Sequence, residues 1–473
     1  IMFCQALQNV KPELKIFEYR DHLLKKSLTT LLNLTDSKGA FYPINDAQKG
    51  MSYLSKELVA AVNVIYYYDG RDRSLLTIAK EQDKVQLDQS GLAVADAIMQ
   101  NKSTPFTKKS MLFSDGFKGK DGAVSVLRSN TTGGDHSLLF KYGIHGMGHG
   151  HFDRLSYSLY QDDTEILQDY GAARWVNIDQ KSGGVYLKEN QTWAKQTIAH
   201  NTIVIDETSQ FDGNTQTGDL NPSESYYFNV ADPSIQIASA LDKNAYPGVT
   251  LLRTLFLVQD DIFKAPVLID IFGATGDTLM TIDLPFHFAS QLMSSSVDVK
   301  VATTQLNVLG NKNGYQHLWR EGSGLIGKPQ YEISWFTKGK FTTLYGMSDL
   351  NDEIIFARLG ANDPQFNLRR DALSIHRKVK KKDPVFVNVL STHGTYDPVV
   401  EVPFHSYGPQ VQIKLILNSE DYTIAEIVIG SKNKYTALIY KNNNNSTMLH
   451  EIDVDGVKYQ WNQPIALQKE ILK

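Results

Sequence analysis

The sequence predicts an α+β chain in which a helical N-terminal part precedes a large antiparallel β-sandwich. Two observations carry this expectation. Up to about residue 104, apolar residues recur at three- and four-residue spacing. From Gly122 onward they alternate along short runs rich in β-branched and aromatic residues, with polar turns between them. A length of 473 residues also suits two or three domains better than one. We therefore divide the chain into a helical part, 1–104, and a strand-rich part, 105–473. A slight composition change near 260–277 does not justify a further boundary.

The helices have local justifications. PELKIFEYRDHLLKKSLTTLLNLT places Pro12 at a helix start. SKELVAAVNVIYYYDG offers Ser55 as N-cap and Gly70 as the stop. SLLTIAKEQ and SGLAVADAIMQ supply two more, and the short loops imply antiparallel hairpins. Four helices close poorly by themselves, and IMFCQAL reads as the tail of a helix already under way. We therefore expect the chain to be a fragment or a processed product.

The strands expected are AVSVLRS, SLLFKYG, LSYSLY, TIVID, TLFLV, VLIDIFG, YEISWF, IIFARLG, VFVNVLSTHG, VQIKLIL, IAEIVIG and YTALIYK. KNNNNS at 441–446 reads as a solvated hairpin tip.

Composition narrows the function. The chain is 42% hydrophobic and 21% charged, with a formal net charge of -4, which argues against a nucleic-acid binder. An anionic substrate remains compatible, because local cations matter more than their sum. Cys4 is the single cysteine, so neither an intramolecular disulfide nor a multi-cysteine zinc site can form. No apolar run reaches the roughly eighteen residues of a membrane span, and the opening residues lack the features of a signal peptide. P-loop, dinucleotide, GxSxG and HExxH motifs are missing.

The chemistry concentrates between Lys141 and Thr202, in KYGIHGMGHGHFDRLSYSLY, EILQDYGAARW, GGVYLKENQTWAKQ and TIAHNT. On an extended backbone His145, His149, His151 and Asp153 share one face. Glycines 146, 148 and 150 take the other, open to a close backbone or ligand. His151, Asp169 and His200 lie in or beside strand-like runs, and two imidazoles with one carboxylate suit zinc. The alternative is that these histidines only satisfy buried hydrogen bonds, and spacing does not separate the two readings. Tyr186 follows Gly183 and Gly184, a turn able to aim a side chain into a cleft. With an ordinary pKa of about 10, a tyrosine becomes a useful base only when a cation stabilises its phenolate. Arg174 or a protonated histidine would supply that cation. Most of the 23 tyrosines must be core or surface residues, so this reading also stays open. Arg369, Arg370 and RKVKKK at 377–382 form either a polyanion patch or a solvated edge that discourages strand pairing.

YGIHGMGHGHFDRLSYSLY, DYGAARW and GGVYLKENQTWAKQTIAHNT resemble the heparinase II/III-like region of polysaccharide lyases. Within that group the chain is most similar to family 17, the exo-acting oligoalginate lyases. FYPINDA at 41–47, FARLGANDPQFNLRRD at 356–371 and FVNVLSTHGTYDP at 386–398 extend the likeness over nearly the whole chain. The resemblance implies the C-terminal part of an (α/α) toroid followed by a heparinase II/III-like sandwich. It implies β-elimination on alginate oligosaccharides from one end, releasing a 4,5-unsaturated uronate. In that scheme Tyr186 exchanges the proton, while His149 helps neutralise the uronate carboxylate and Arg174 contacts substrate. His151, Asp169 and His200 would ligate a structural zinc, and the location would be periplasmic or secreted. An asparagine-histidine pair and a second tyrosine that the family places on its toroid have no counterpart here, and Asn45, Asp46 and Lys49 receive no role. The rival expectations are a heparinase-type glycosaminoglycan lyase and a catalytically silent carbohydrate-binding fragment. A third makes the strand-rich part a scaffold or homodimer interface.

Overall fold

The computed structural model describes residues 1–473 apart from 176–183, 262, 363–367, 445–446 and 473. It divides into two compact units, Ile1–Tyr42 with Gln48–Lys109, and Pro43–Ala47 with Ser110–Lys473. The first unit extends five residues beyond the expected 104 because its last segment bonds back onto its own helices. Thr104 N donates to Arg73 O at 3.1 Å, and Lys109 N donates to Asn33 Oδ1 at 2.9 Å. Pro43–Ala47, read from sequence as part of the helical region, belongs with the strands.

In the helical unit, Met2–Val10, Tyr19–Asn33, Lys56–Tyr68, Leu75–Gln82 and Gln89–Met99 are helical. Their apolar faces meet in a core that includes Leu28, Leu32, Val62, Ile65, Leu76 and Val94. Pro12 opens only a 3-10 turn, Pro12–Leu14. The following helix is interrupted at Arg20, Asp21 and His22, all at positive φ, so the long helix expected from Pro12 begins in earnest only after them. Ser55 occupies the N-cap position, though its hydroxyl makes no capping bond. Asp88 does cap, accepting from Ser90 N and Gly91 N.

The strand-rich unit is antiparallel throughout its named pairings. A five-stranded meander runs in chain order from Met111–Asp115 to Thr164–Leu167. The largest sheet centres on Val385–Asp397, Val267–Gly276 and Val249–Val258. A seven-stranded sheet contains Glu353–Leu359, Ala372–Lys381 and Met280–Phe286. A four-stranded sheet is built from Val411–Asn418, Tyr422–Ile429, Asn433–Tyr440 and Ile465–Ile471. Strand periodicity sends neighbouring residues to opposite faces. Leu268 accordingly joins one core with Leu284, Phe286 and Trp335. Ile269 joins another with Ala425, Ile427 and Tyr435. Burial on both faces explains the runs VLIDIF and VFVNVL, apolar except for Asp270 and Asn388, which are buried as well.

Three expectations need revision. TIVID contributes only the two-residue strand Val204–Ile205. The polar-rich strand Ala372–Lys381 lies between Glu353–Leu359 and Met280–Phe286, so RKVKKK at 377–382 does not begin as a solvated edge. Arg377 is bonded to Asp283 at 2.7 Å, and buried Lys378 donates to Asp352 at 2.6 Å. Partnered charges can occupy an interior strand, which charge-run reasoning does not anticipate. Strands such as Ile235–Tyr246 and Lys340–Met347 escaped the sequence reading because buried polar residues, Asp242, Thr342 and Thr343 among them, blur their alternation. Within the expected hairpin tip, residues 445 and 446 lie outside those described.

Arg253 and Asp270 are both fully buried and form a bidentate pair at 2.8 and 2.7 Å. Removing one partner strands the other charge in low dielectric, a loss of about 3–5 kcal/mol. Asp270→Ala should therefore lower unfolding free energy by about that amount in denaturant titration, and a loss below about 1 kcal/mol would show that Arg253 is satisfied without it.

Candidate active site and metal centre

The segment from His145 to Asp153 is a looped crossing, which overturns the shared-face expectation. Gly146 and Met147 adopt positive φ, +92° and +58°, and Met147–His149 forms a 3-10 turn. The parity of the histidines is lost, leaving the His149 side chain 75% exposed and that of His151 fully buried. Glycine is needed at position 150, where a Cβ would fall 1.6 Å from the His145 carbonyl oxygen. Close backbone approach was thus read correctly, for a loop rather than a strand.

What unites the two histidines is Asp46, a residue to which sequence reasoning gave no role. His149 Nδ1 lies 3.0 Å from Asp46 Oδ2, and His151 Nε2 lies 3.0 Å from Oδ1. Asn190 Nδ2 donates to Oδ1 at 2.8 Å, and Lys195 Nζ stands 3.7 Å from Oδ2. Backbone contacts hold the same geometry, Asp46 N to His149 O at 3.2 Å and Phe152 N to Lys195 O at 3.0 Å. Burial by itself would raise the Asp46 carboxyl. Hydrogen bonds from His151 and Asn190, with the charges of His151 and Lys195, outweigh it and hold the group at about 2. Nearby, buried Lys141 binds Asp153 and Asn45, so two residues of the Pro43–Ala47 segment are tied to this loop.

His151, Asp169 and His200 come together, with one potential ligand atom from each lying within 4.8 Å of the others. His200 Nδ1 is 3.2 Å from Asp169 Oδ2, and the two imidazole centroids are 5.2 Å apart. Burial opposes charge on Asp169, but His200 reverses this and keeps the carboxyl low. Burial likewise opposes a protonated His200, and Asp169 raises it. His151, dominated by burial, falls to about 4 and so favours the neutral form a metal needs. His151 Nδ1 and His200 Nε2 are both buried without a hydrogen-bond partner, which is costly unless something else satisfies them. One carboxylate and two imidazoles, each imidazole with a buried nitrogen lacking a partner, fit a divalent ion such as zinc.

Tyr186 and Arg174 sit differently from expectation. Tyr186 is 88% exposed. The turn before it depends on Gly184, at φ +81°, where a Cβ would meet the Ala173 oxygen at 1.7 Å. Gly183 lies outside the described residues. Arg174 covers the Tyr170 ring at 4.3 Å, and its Nη1 bonds the Tyr170 carbonyl. Among the described residues no hydrogen bond or ion pair joins it to Tyr186. Its Nε and Nη2 are buried without hydrogen bonds, and Nη2 stands 3.9 Å from Asp371 Oδ2. Ala173 N donates to Asn190 Oδ1 at 3.0 Å, which links the Tyr186 turn through Asn190 to Asp46 and His149. Arg369 and Arg370 are exposed, and Arg369 N donates to Arg174 O at 3.2 Å.

Residues 114–343 match the family model described as Heparinase II/III-like, C-terminal. That match covers a little under half of the chain. The chain is 38% identical over 465 residues to an exo-oligoalginate lyase of Saccharophagus degradans. It is 37% identical over 464 residues to an alginate lyase of Stenotrophomonas maltophilia. Each alignment covers 98% of this chain and 62% of the relative, so the chain spans about 62% of the length of the curated relatives it matches. A heparinase III gene product of known structure superposes with a TM-score of 0.59 at 13% identity, covering 93% of this chain and 55% of that one. The heparinase II/III-like fold is thus as the resemblance implied, helices from the C-terminal part of an (α/α) toroid followed by an antiparallel β-sandwich.

The donor set predicts that purified protein carries bound zinc and that His200→Ala releases it. Elemental analysis checks this; equal metal content in both proteins would leave the triad held by hydrogen bonds alone.

Proposed function

We propose that the chain supplies the strand-rich side of a lyase site that cleaves alginate oligosaccharides from one end by β-elimination. The observation that carries this reading is the Asp46-centred cluster. It joins exposed His149 to a buried metal-type triad, in a chain 38% identical to an exo-oligoalginate lyase over 98% of its length.

The C5 proton of a uronate becomes removable only when its carboxylate charge is countered, because the carbanion formed at C5 delocalises into that group. Exposed His149 and the cationic Arg174 guanidinium are suited to bind the carboxylate. Tyr186 Oη, open to solvent, is assigned the proton exchange. The C5–H bond breaks, its electrons form the C4–C5 double bond, and the C4–O bond breaks as the leaving oxygen takes a proton. His151, Asp169 and His200 would hold zinc, whose contribution is to brace the loops bearing these groups. The same reading places the protein in the periplasm or outside the cell. Among the described residues, no helix is long and apolar enough to cross a membrane.

Unsaturated uronate absorbs in the ultraviolet, so absorbance should rise on alginate oligosaccharides and not on heparan sulfate. A rise confined to the sulfated chain would replace the substrate by a glycosaminoglycan, and oligosaccharide binding with no rise on either would support a silent carbohydrate-binding role. Tyr186→Phe should lower kcat by about 10²-fold or more with oligosaccharide affinity retained. Near-normal turnover in that variant would remove Tyr186 from proton transfer.

A further inference from the structure

Asp46 stands between two histidines that the proposed function gives different work. It is buried, and hydrogen-bonding nitrogens of His149, His151 and Asn190 converge on its two oxygens at 3.0, 3.0 and 2.8 Å. An ionised carboxylate can only accept hydrogen bonds. The contacting atoms must therefore be the protonated nitrogens, Nδ1 of His149 and Nε2 of His151. His151 is left with Nδ1 as its lone-pair nitrogen, the atom found buried and without a partner. His149 is left with Nε2, on a side chain that is three-quarters exposed. A carboxylate behind a metal-ligating histidine commonly fixes its tautomer and ring orientation. Here one carboxylate serves a second imidazole as well.

We propose that Asp46 is a two-sided positioning residue, one oxygen setting His151 to ligate a divalent metal through Nδ1 and the other orienting His149 to present Nε2 to substrate. The His149 half rests on the lyase reading; the His151 half rests only on the triad binding metal. Asp46 comes from Pro43–Ala47, within the FYPINDA block, so this segment contributes to the site although none of its side chains need touch substrate.

The test uses the 473-residue protein and its Asp46→Asn variant, which keeps the side-chain size but offers one acceptor oxygen where two are needed. Zinc affinity is measured by competition with a chromophoric chelator, folding by circular dichroism, and imidazole tautomers by ¹⁵N NMR of the zinc-loaded protein. Asp46→Asn should fold, bind zinc about 10–100-fold more weakly, and lose the single Nδ1–H tautomer of His149. On alginate oligosaccharides its kcat should fall while KM changes little. Unchanged zinc affinity and unchanged kcat in the folded variant would overturn the assignment. If the variant does not fold, the wild-type spectrum decides: His149 protonated at Nδ1 and His151 at Nε2 supports the assignment, and either opposite tautomer overturns it. A wild-type protein that binds zinc, shows the Asp46 effect on affinity and yet has no lyase activity would sink the lyase reading while leaving the His151 half standing.

Discussion

The buried Arg253–Asp270 pair is the interaction on which the geometry of the site depends. The guanidinium has five donors in a rigid plane, and only part of that set goes to Asp270. Its Nη1 bonds the carbonyls of Leu155 at 2.7 Å and Asn201 at 2.5 Å, while the rings of Tyr157 and Phe272 cover it at 4.4 and 4.5 Å. Leu155 follows His151 by four residues, and Asn201 follows His200 directly. One side chain of the large sheet thus ties the backbones of both site segments to the sandwich. Asn201 continues the connection, donating to Tyr157 O and Gln168 O, each at 2.9 Å, and accepting from His287 N at 2.8 Å. Gln168 precedes Asp169, so the carboxylate and His200 are placed by the same amide. An ion pair buried this deeply adds little net stability over apolar packing. Its distinctive contribution is direction, because five fixed donors define where loop carbonyls must lie.

A second buried carboxylate organises the next layer outward. Asp46 gathers His149, His151, Asn190 and Lys195, and Asn190 passes the constraint to Ala173, beside Arg174 and against Gly184. The exposed groups assigned to substrate are therefore held from behind by buried polar contacts. Asn190 lies in the π-helical turn Asn190–Ala194, an irregularity that frequently marks functional positions. Such networks are costly when partly satisfied and rigid when complete. Among the buried atoms without a hydrogen bond, His151 Nδ1 and His200 Nε2 belong to the residues grouped as a metal-type triad.

Much of this architecture was legible in one dimension. The near-continuous apolar, β-branched runs VLIDIFG and VFVNVLSTHG announced strands because both of their faces are buried. The chemistry of His151, Asp169 and His200 was visible as residue types able to share a metal, and the family resemblance grouped them. Other features had no linear signature. Asp46 lies 103 residues before His149, in a short segment flanked by helices, and a lone aspartate there looks like any turn residue. The histidine loop deceived for a related reason: parity arguments assume extended backbone, whereas Gly146 and Met147 at positive φ turn the chain and rotate each side chain to a new direction. RKVKKK looked solvated because its partners, Asp283 on a neighbouring strand and Asp352 just before another, are distant in sequence.

By itself, then, the sequence determined the order of helices before strands, the apolar faces of most strands, and the likeness to the heparinase II/III-like group. Those follow from local periodicity and residue chemistry, which need no partner elsewhere in the chain. Only the tertiary structure decided that Pro43–Ala47 joins the strand-rich unit, that Asp46 serves two histidines at once, and that His149 faces solvent while His151 is buried. Each of these depends on hydrogen bonds across tens to hundreds of residues. The requirement that buried charges find partners is general, but which partner each one finds is settled only when the chain packs.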